Sequence, residues 1–136
     1  MAKHSPSPTP IISNQVATGF GASGFQTIEY DFLLVQFIGL NSVNATIKCH
    51  GSGSDLEPTW AAAKSASNVF DTKAMYNLST LGSVLGDTGI VLTGAIATLV
   101  REYKINVDMI NWINFDVEAW AAGNIYTNVR GLNKQS

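Results

Sequence analysis

Asn111-Trp112-Ile113-Asn114-Phe115-Asp116-Val117-Glu118-Ala119-Trp120-Ala121-Ala122-Gly123-Asn124-Ile125-Tyr126-Thr127-Asn128-Val129-Arg130-Gly131-Leu132 is the stretch on which the fold turns. Ile113, Phe115, Val117 and Ala119 fall on one side of an extended chain, and Asn114, Asp116, Glu118 and Trp120 on the other. A period of two marks a half-buried strand. Gly123-Asn124 interrupts it with a pair that tolerates positive φ. Beyond it Ile125, Thr127 and Val129 oppose Tyr126, Asn128 and Arg130. The spacing predicts a hairpin in which Asp116 or Glu118 meets Arg130 across the pair. Full burial of Ile113, Phe115, Val117, Ile125 and Val129 contributes roughly 1.5 to 3 kcal/mol each. An isolated hairpin is marginal, so this one needs a partner sheet from the rest of the chain.

Upstream, Leu99 to Val107 alternates in the same way, and Asp108 to Asn111 turns the chain toward the hairpin. Ile90 to Thr93 reads as a short strand, and Lys73 to Leu78 as another, with Ala74, Tyr76 and Leu78 on one face. Pro58 to Lys64 opens like a short helix, since Pro suits the first helical position and Ala the next ones. No apolar stripe continues beyond Trp60, so a strand or irregular crossover is an equal reading. Asp31 to Leu40 places Leu33, Val35 and Phe37 on one face and Phe32, Leu34 and Ile38 on the other, as in a central strand covered on both sides. Asn41-Ser42 predicts a turn, with Ala45 to His50 returning as its hairpin mate and Gly51 to Asp55 as a flexible loop. Thr27 to Tyr30 is a further short strand. Seven or eight short strands with turn signals between them predict an all-β protein, a two-layer antiparallel β-sandwich of Ig-like or jelly-roll kind over residues 25–136. Residues 1–24 hold three of the four prolines and end in Gly19, Gly21 and Gly24, which reads as an extended N-terminal arm. Ile11, Ile12 and Val16 lie in that arm and need cover, from the domain's own surface or from a neighbouring subunit.

The composition narrows the function classes. At 136 residues the chain is one domain by length. Charged residues make up only 13%, with ten acids against eight bases, about half the usual share. The bases are scattered singly, which argues against a nucleic-acid partner. A surface poor in charge suits many copies packed side by side, because like charges repel in assemblies. The lone Cys49 cannot form an internal disulfide and alternates with Ala45 and Ile47, so a buried thiol is expected. The first ten residues lack an apolar segment of the signal-peptide kind, and no apolar run approaches the roughly 20 residues of a membrane-spanning helix. These features predict a protein made in a cytoplasm, with no membrane partner.

Several motifs suggest chemistry without its surroundings. Gly19-Phe20-Gly21-Ala22-Ser23-Gly24 matches the dinucleotide fingerprint, which requires a strand before it and a helix after it. Here a Pro/Ser stretch precedes and a strand follows. Asp87-Thr88-Gly89 matches the aspartic-protease turn, of which the retroviral type carries one copy per subunit. Gly86 stands where that family has an apolar residue, and ordinary turn chemistry explains the same three residues. His4 lies in the arm and His50 alone at a strand end, so surface positions are expected for both and no metal site. No catalytic residues and no cofactor follow from the sequence, and a non-enzymatic protein is expected. The aromatics carry more: Trp60, Trp120 and Tyr126 fall on polar faces or loops, where they can stack on sugar rings or be buried between subunits. The low charge favours an interface at Trp120 and Tyr126, with packing inside the fold as the alternative for Trp60.

Asn44-Ala45-Thr46-Ile47-Lys48-Cys49-His50-Gly51-Ser52, the Ser/Asp-rich loop running to Trp60, the Ala121-Ala122-Gly123-Asn124 tip and the Asn128-Val129-Arg130-Gly131 segment occur in that order. The succession resembles small β-sandwich virion proteins of tailed bacteriophages over about residues 25–132. Gly53 stands where Asn is usual in them, and Leu56 and Glu57 interrupt the polar loop. The resemblance implies a capsid decoration or cement protein, or else a tail or fibre component, that works as a homo-oligomer. A trimer is one such form, bound to a major capsid or other virion protein through its N-terminal arm. On that reading Ile11, Ile12, Val16, Trp120 and Tyr126 are interface residues, and the protein resides in the virion. A similar Ser/Asp loop followed by Trp occurs in carbohydrate-binding sandwiches, which makes a glycan-binding module the alternative of another class.

Overall fold

The computed structural model describes residues 8–65, 75–80, 82–84, 88–94, 97–107 and 110–133. They form β1 (Thr9–Gln15), β2 (Gly19–Phe20), β3 (Phe25–Gln26), β4 (Phe32–Ser52), α1 (Trp60–Ser65), β5 (Met75–Asn77), β6 (Ser83–Val84), β7 (Ile90–Thr93), β8 (Thr98–Asn106) and β9 (Trp112–Leu132). The nine strands pair antiparallel in one hydrogen-bonded sheet, ordered β1-β9-β4-β8-β5-β6, with β2 and β3 also on β9 and β7 on β4.

β4 and β9 are the frame, each 21 residues long and paired along its whole length, from Phe32 opposite Leu132 to Ser52 opposite Trp112. This corrects both expected hairpins. Neither Asn41-Ser42 nor Gly123-Asn124 reverses the chain; Asn41-Ser42 lies in a bulge of the continuous β4, and Gly123-Asn124 lies opposite it inside the continuous β9. Between the pairs Leu40–Asn124 and Asn44–Ala122, β4 advances four residues and β9 two. β9 then recovers one residue between Asn44 and Ala45 and another between Thr46 and Ile47. Asn41 and Ser42 take left-handed φ values of 60° and 57° to hold the extra length. Gly123 has φ 87°, and a Cβ there would lie 2.5 Å from Val43 Cα. Glycine is thus required where the β4 bulge presses on β9. Arg130 lies opposite Leu34, and the basic residue in register with Asp116 is Lys48.

The bulges fold the ribbon over. Twelve residues of β4 separate Phe37 from Cys49, the partner of Phe115, about 40 Å along a straight strand. Yet the Phe37 and Phe115 rings meet edge to face at 5.4 Å. Leu33, Val35 and Phe37 from one half, and Ile47, Cys49, Ile113, Phe115 and Val117 from the other, are buried in one core. Cys49 is buried, as its alternation with Ile47 predicts.

The N-terminal stretch differs from expectation. Thr9–Gln15 is an edge strand on β9, the kind of strand in which a proline such as Pro10 is tolerated. The register slips between Pro10 and Ile12, so two adjacent isoleucines both turn inward. Ile12 is 1% exposed and Ile11 is also buried; the chain's own core covers them. Gly19–Phe20 and Phe25–Gln26 continue along β9, so three segments within residues 9–26 belong to the sheet, and the arm expected over residues 1–24 is not free of it there. Of the expected Thr27–Tyr30 strand, Thr27 closes a turn by accepting the Tyr30 N–H at 2.9 Å. The helical reading of Pro58–Lys64 holds, as α1.

Candidate functional site

The alternation in the second half of the ribbon sends Ile113, Phe115 and Val117 into the core and Asn114, Asp116 and Glu118 to the outer face. Across the register Lys48 lies opposite Asp116 and His50 opposite Asn114. This outer face is not left to solvent. The segment around β2 and the short helix α1 cover it, bringing Phe20, Trp60 and Lys64 over the polar row. The Phe20 ring lies tilted against His50 at 5.3 Å and against Trp60 at 5.8 Å. The Trp60 indole N–H donates to Glu57 at 2.9 Å, and the same carboxylate oxygen accepts the Gly24 N–H. Glu57, one of two residues that interrupt the polar loop, therefore ties the loop, the helix and the N-terminal segment together. α1 begins as capping rules suggest, with the Thr59 carbonyl accepting the first helical bond from Ala63 at 2.8 Å.

Lys64 completes the cluster. Its ammonium donates to Asp116 at 2.6 Å and to Glu118 at 2.7 Å, and lies 5.8 Å from the centre of the Phe20 ring. Lys48 approaches Glu118 at 3.8 Å, and His50 Nε2 lies 3.9 Å from Asp116. Desolvation acts to lower the Lys64 pKa, but the hydrogen bonds and charges of Asp116 and Glu118 outweigh it and raise the pKa. The hydrogen bond from Lys64, joined by its charge and those of Lys48 and His50, lowers that of Glu118 against a desolvation effect of opposite sign.

The cluster borders an open groove of about 710 Å³ lined by Thr18, Phe20, Ala61, Lys64, Asp116 and Glu118, among others. His50, Asp116 and Glu118 bring ligand-type atoms within 4.8 Å of one another. An ammonium already lies between the two carboxylates, where a cation would sit. Two lysines and two carboxylates also cancel, leaving the groove without the charge that a metal or phosphate site concentrates. The arrangement suits a clamp that fastens α1 to β9.

The residues singled out in the sequence separate. Ile11, Ile12 and Trp60 are buried inside the chain; Val16 is 49% exposed and Trp120 36%. Tyr126 is half-buried on the other half of the ribbon, opposite Ile38. Trp120 donates its indole N–H to the Gly123 carbonyl at 2.9 Å, lying over the bend. Beside it Asn41 donates to Asn124 at 2.8 Å and Asn124 to Asn14 at 2.6 Å, a carboxamide ladder across β4, β9 and β1. His50, expected at the surface, is 1% exposed because β2 and α1 close over it. Gly19 to Gly24 runs between two strands, with no helix to receive a pyrophosphate. Asp87 and His4 lie outside the described residues. Sequence reasoning missed Lys64, since no local periodicity joins it to an acid 52 residues away.

No protein-family model and no curated protein matches the chain. Among solved structures, the crystal structure of the SPBc2 prophage-derived protein YomS shares the fold. Its TM-score is 0.70, over 98% of this chain and 96% of that one, at 10% sequence identity.

Proposed function

We propose that the protein is a bacteriophage virion structural component without enzymatic activity, a head decoration or cement protein, built as a two-layer sandwich and working as a homo-oligomer. The observation that carries this reading is the end-to-end likeness to a prophage-derived protein. The small charged fraction fits dense side-by-side packing. With Ile11 and Ile12 committed to the core, inter-subunit contacts fall to Val16, Trp120 and Tyr126. The tail or fibre role is the alternative within the class. Immunogold electron microscopy of a lysate producing the protein tests the reading. Gold over capsids supports decoration, and gold on tails or fibre tips moves the protein to the alternative. Particles without gold overturn the virion reading.

A second reading, glycan contact, is favoured by the crest of the bend, where the exposed Trp120 indole lies beside the Asn14, Asn41 and Asn124 ladder. An aromatic face beside carboxamides is a chemistry that sugars use. Specific binding on a glycan array that Trp120→Ala abolishes would support this reading, and an array with no binder removes it.

A further inference from the structure

The outer face of the other half of the ribbon has a different character from the clamp. Here β4 turns Leu34 and Ile38 outward, only half-buried, between Val100 and Lys104 of β8 and Tyr126 and Arg130 of β9. Val100 and, at the end of β5, Leu78 are each 43% exposed. Among the described residues no helix lies on this face. We propose that a second copy of this chain covers it, sheet against sheet, about a two-fold axis. The proposal rests on the homo-oligomer part of the reading above and adds to it a sheet face that shares Tyr126 with the contacts named there.

Three observations favour a like copy. Nine residues each of β4, β8 and β9, flanked by the seven of β1 and the three of β5, present about 590 Å² of sheet, so a face-to-face pair buries about 1,200 Å², at the lower end of the range of specific interfaces. The face carries both signs of charge, Glu102 beside Lys104 and Arg130, so a copy rotated by a half turn can set its acid against the other's bases. It also carries both a hollow and protrusions. A space of about 130 Å³ opens between Leu34, Gln36, Leu78, Glu102, Asn128 and Arg130, the size of one aliphatic side chain. Val100 stands out from the same sheet. Two-fold symmetry requires each surface to supply both parts, because every contact is made twice.

Sedimentation equilibrium over a wide concentration range is the test. The wild-type chain should fit a monomer–dimer equilibrium. Val100→Glu and, separately, Leu78→Glu should weaken association roughly hundredfold, as expected for an ionised group placed in a buried interface. Both sites are exposed in the monomer, so the melting temperature of the dilute protein should stay near that of the wild type. Val91→Glu, still more solvent-exposed on β7 in the other half, should dimerise normally. A wild-type chain that is monomeric throughout or trimeric, association unchanged in both face variants, or equal weakening by Val91→Glu would each overturn the proposal. Particle labelling reads the virion assignment independently, so the two can fail separately.

Discussion

Asp116 shows how one side chain ties three parts of the chain together. Its strand position turns it away from the core, yet it is buried because α1 crosses above it, and Lys64 answers its charge at 2.6 Å. Lys64→Met leaves that carboxylate covered without its closest cation. Removing one partner of a fully buried pair costs about 3 to 5 kcal/mol, and the partial exposure of Lys64 reduces this to about 1 to 2 kcal/mol. Urea unfolding should show that loss, and Lys64→Met with Asp116→Asn should recover most of it. A double variant no more stable than the single one would show that the cost is not electrostatic. The same contacts set a pH dependence. The folded Glu118 pKa lies below its ordinary 4.5, so the stability from this contact is full above 4.5 and lost as pH falls through the folded value. Lys64 is the converse: its folded pKa lies above 10.5, so its contribution is full below 10.5 and lost as pH rises through the folded value. Urea midpoints against pH should therefore show a plateau between these limits, with a smaller acid-side fall in Glu118→Gln. An acid limb identical in the two proteins would remove Glu118 as its source.

At the scale of elements, which residues face inward was legible and which way the chain travels was not. Ile113, Phe115, Val117, Ile125 and Val129 are all buried, because period-two alternation is a local property and survives a bulge. Gly123-Asn124 serves a turn and a strand that faces a bulge equally well. The choice between them is made by pairing with Leu40 and Asn44, some eighty residues earlier in the chain. The N-terminal stretch was misread for a similar reason: prolines and serines describe an arm until β9 offers an unpaired edge. Once β1 is counted in the sheet, its removal has consequences that loss of a docking arm would lack. A chain lacking residues 1–15 leaves Ile125, Thr127 and Val129 without an edge strand and removes Ile11 and Ile12 from the core. Truncating either isoleucine to Ala typically costs about 2 to 5 kcal/mol, so the deletion should lower the melting temperature sharply and promote aggregation through the exposed edge. A deletion variant that melts like the full chain would mean that β1 is peripheral in solution.

The molecule as a whole is held by contacts between residues distant in sequence. β9 pairs with β4 along its whole length, and β8 and β7 pair with opposite halves of β4, all across long sequence separations. Folding should therefore be slow for a chain of this size, in the millisecond-to-second range typical of all-β topologies. It should also be polarised by position. Phe37 and Phe115 meet where the doubled ribbon closes on itself, and Phe37 also stacks edge-on with Tyr103 of β8 at 5.7 Å. Contacts that join the two halves belong to the step that defines the topology. Among the described strands β1 pairs with β9 alone, at the edge of the sheet, and can dock after the halves have closed. In stopped-flow chevrons, Phe37→Leu and Phe115→Leu should mainly slow refolding, whereas Ile12→Val, at about 0.5 to 1.5 kcal/mol, should mainly speed unfolding. If Ile12→Val slows refolding as much as the two phenylalanine variants for the same loss of stability, the edge strand is part of the nucleus, and closure of the ribbon waits for the N-terminus.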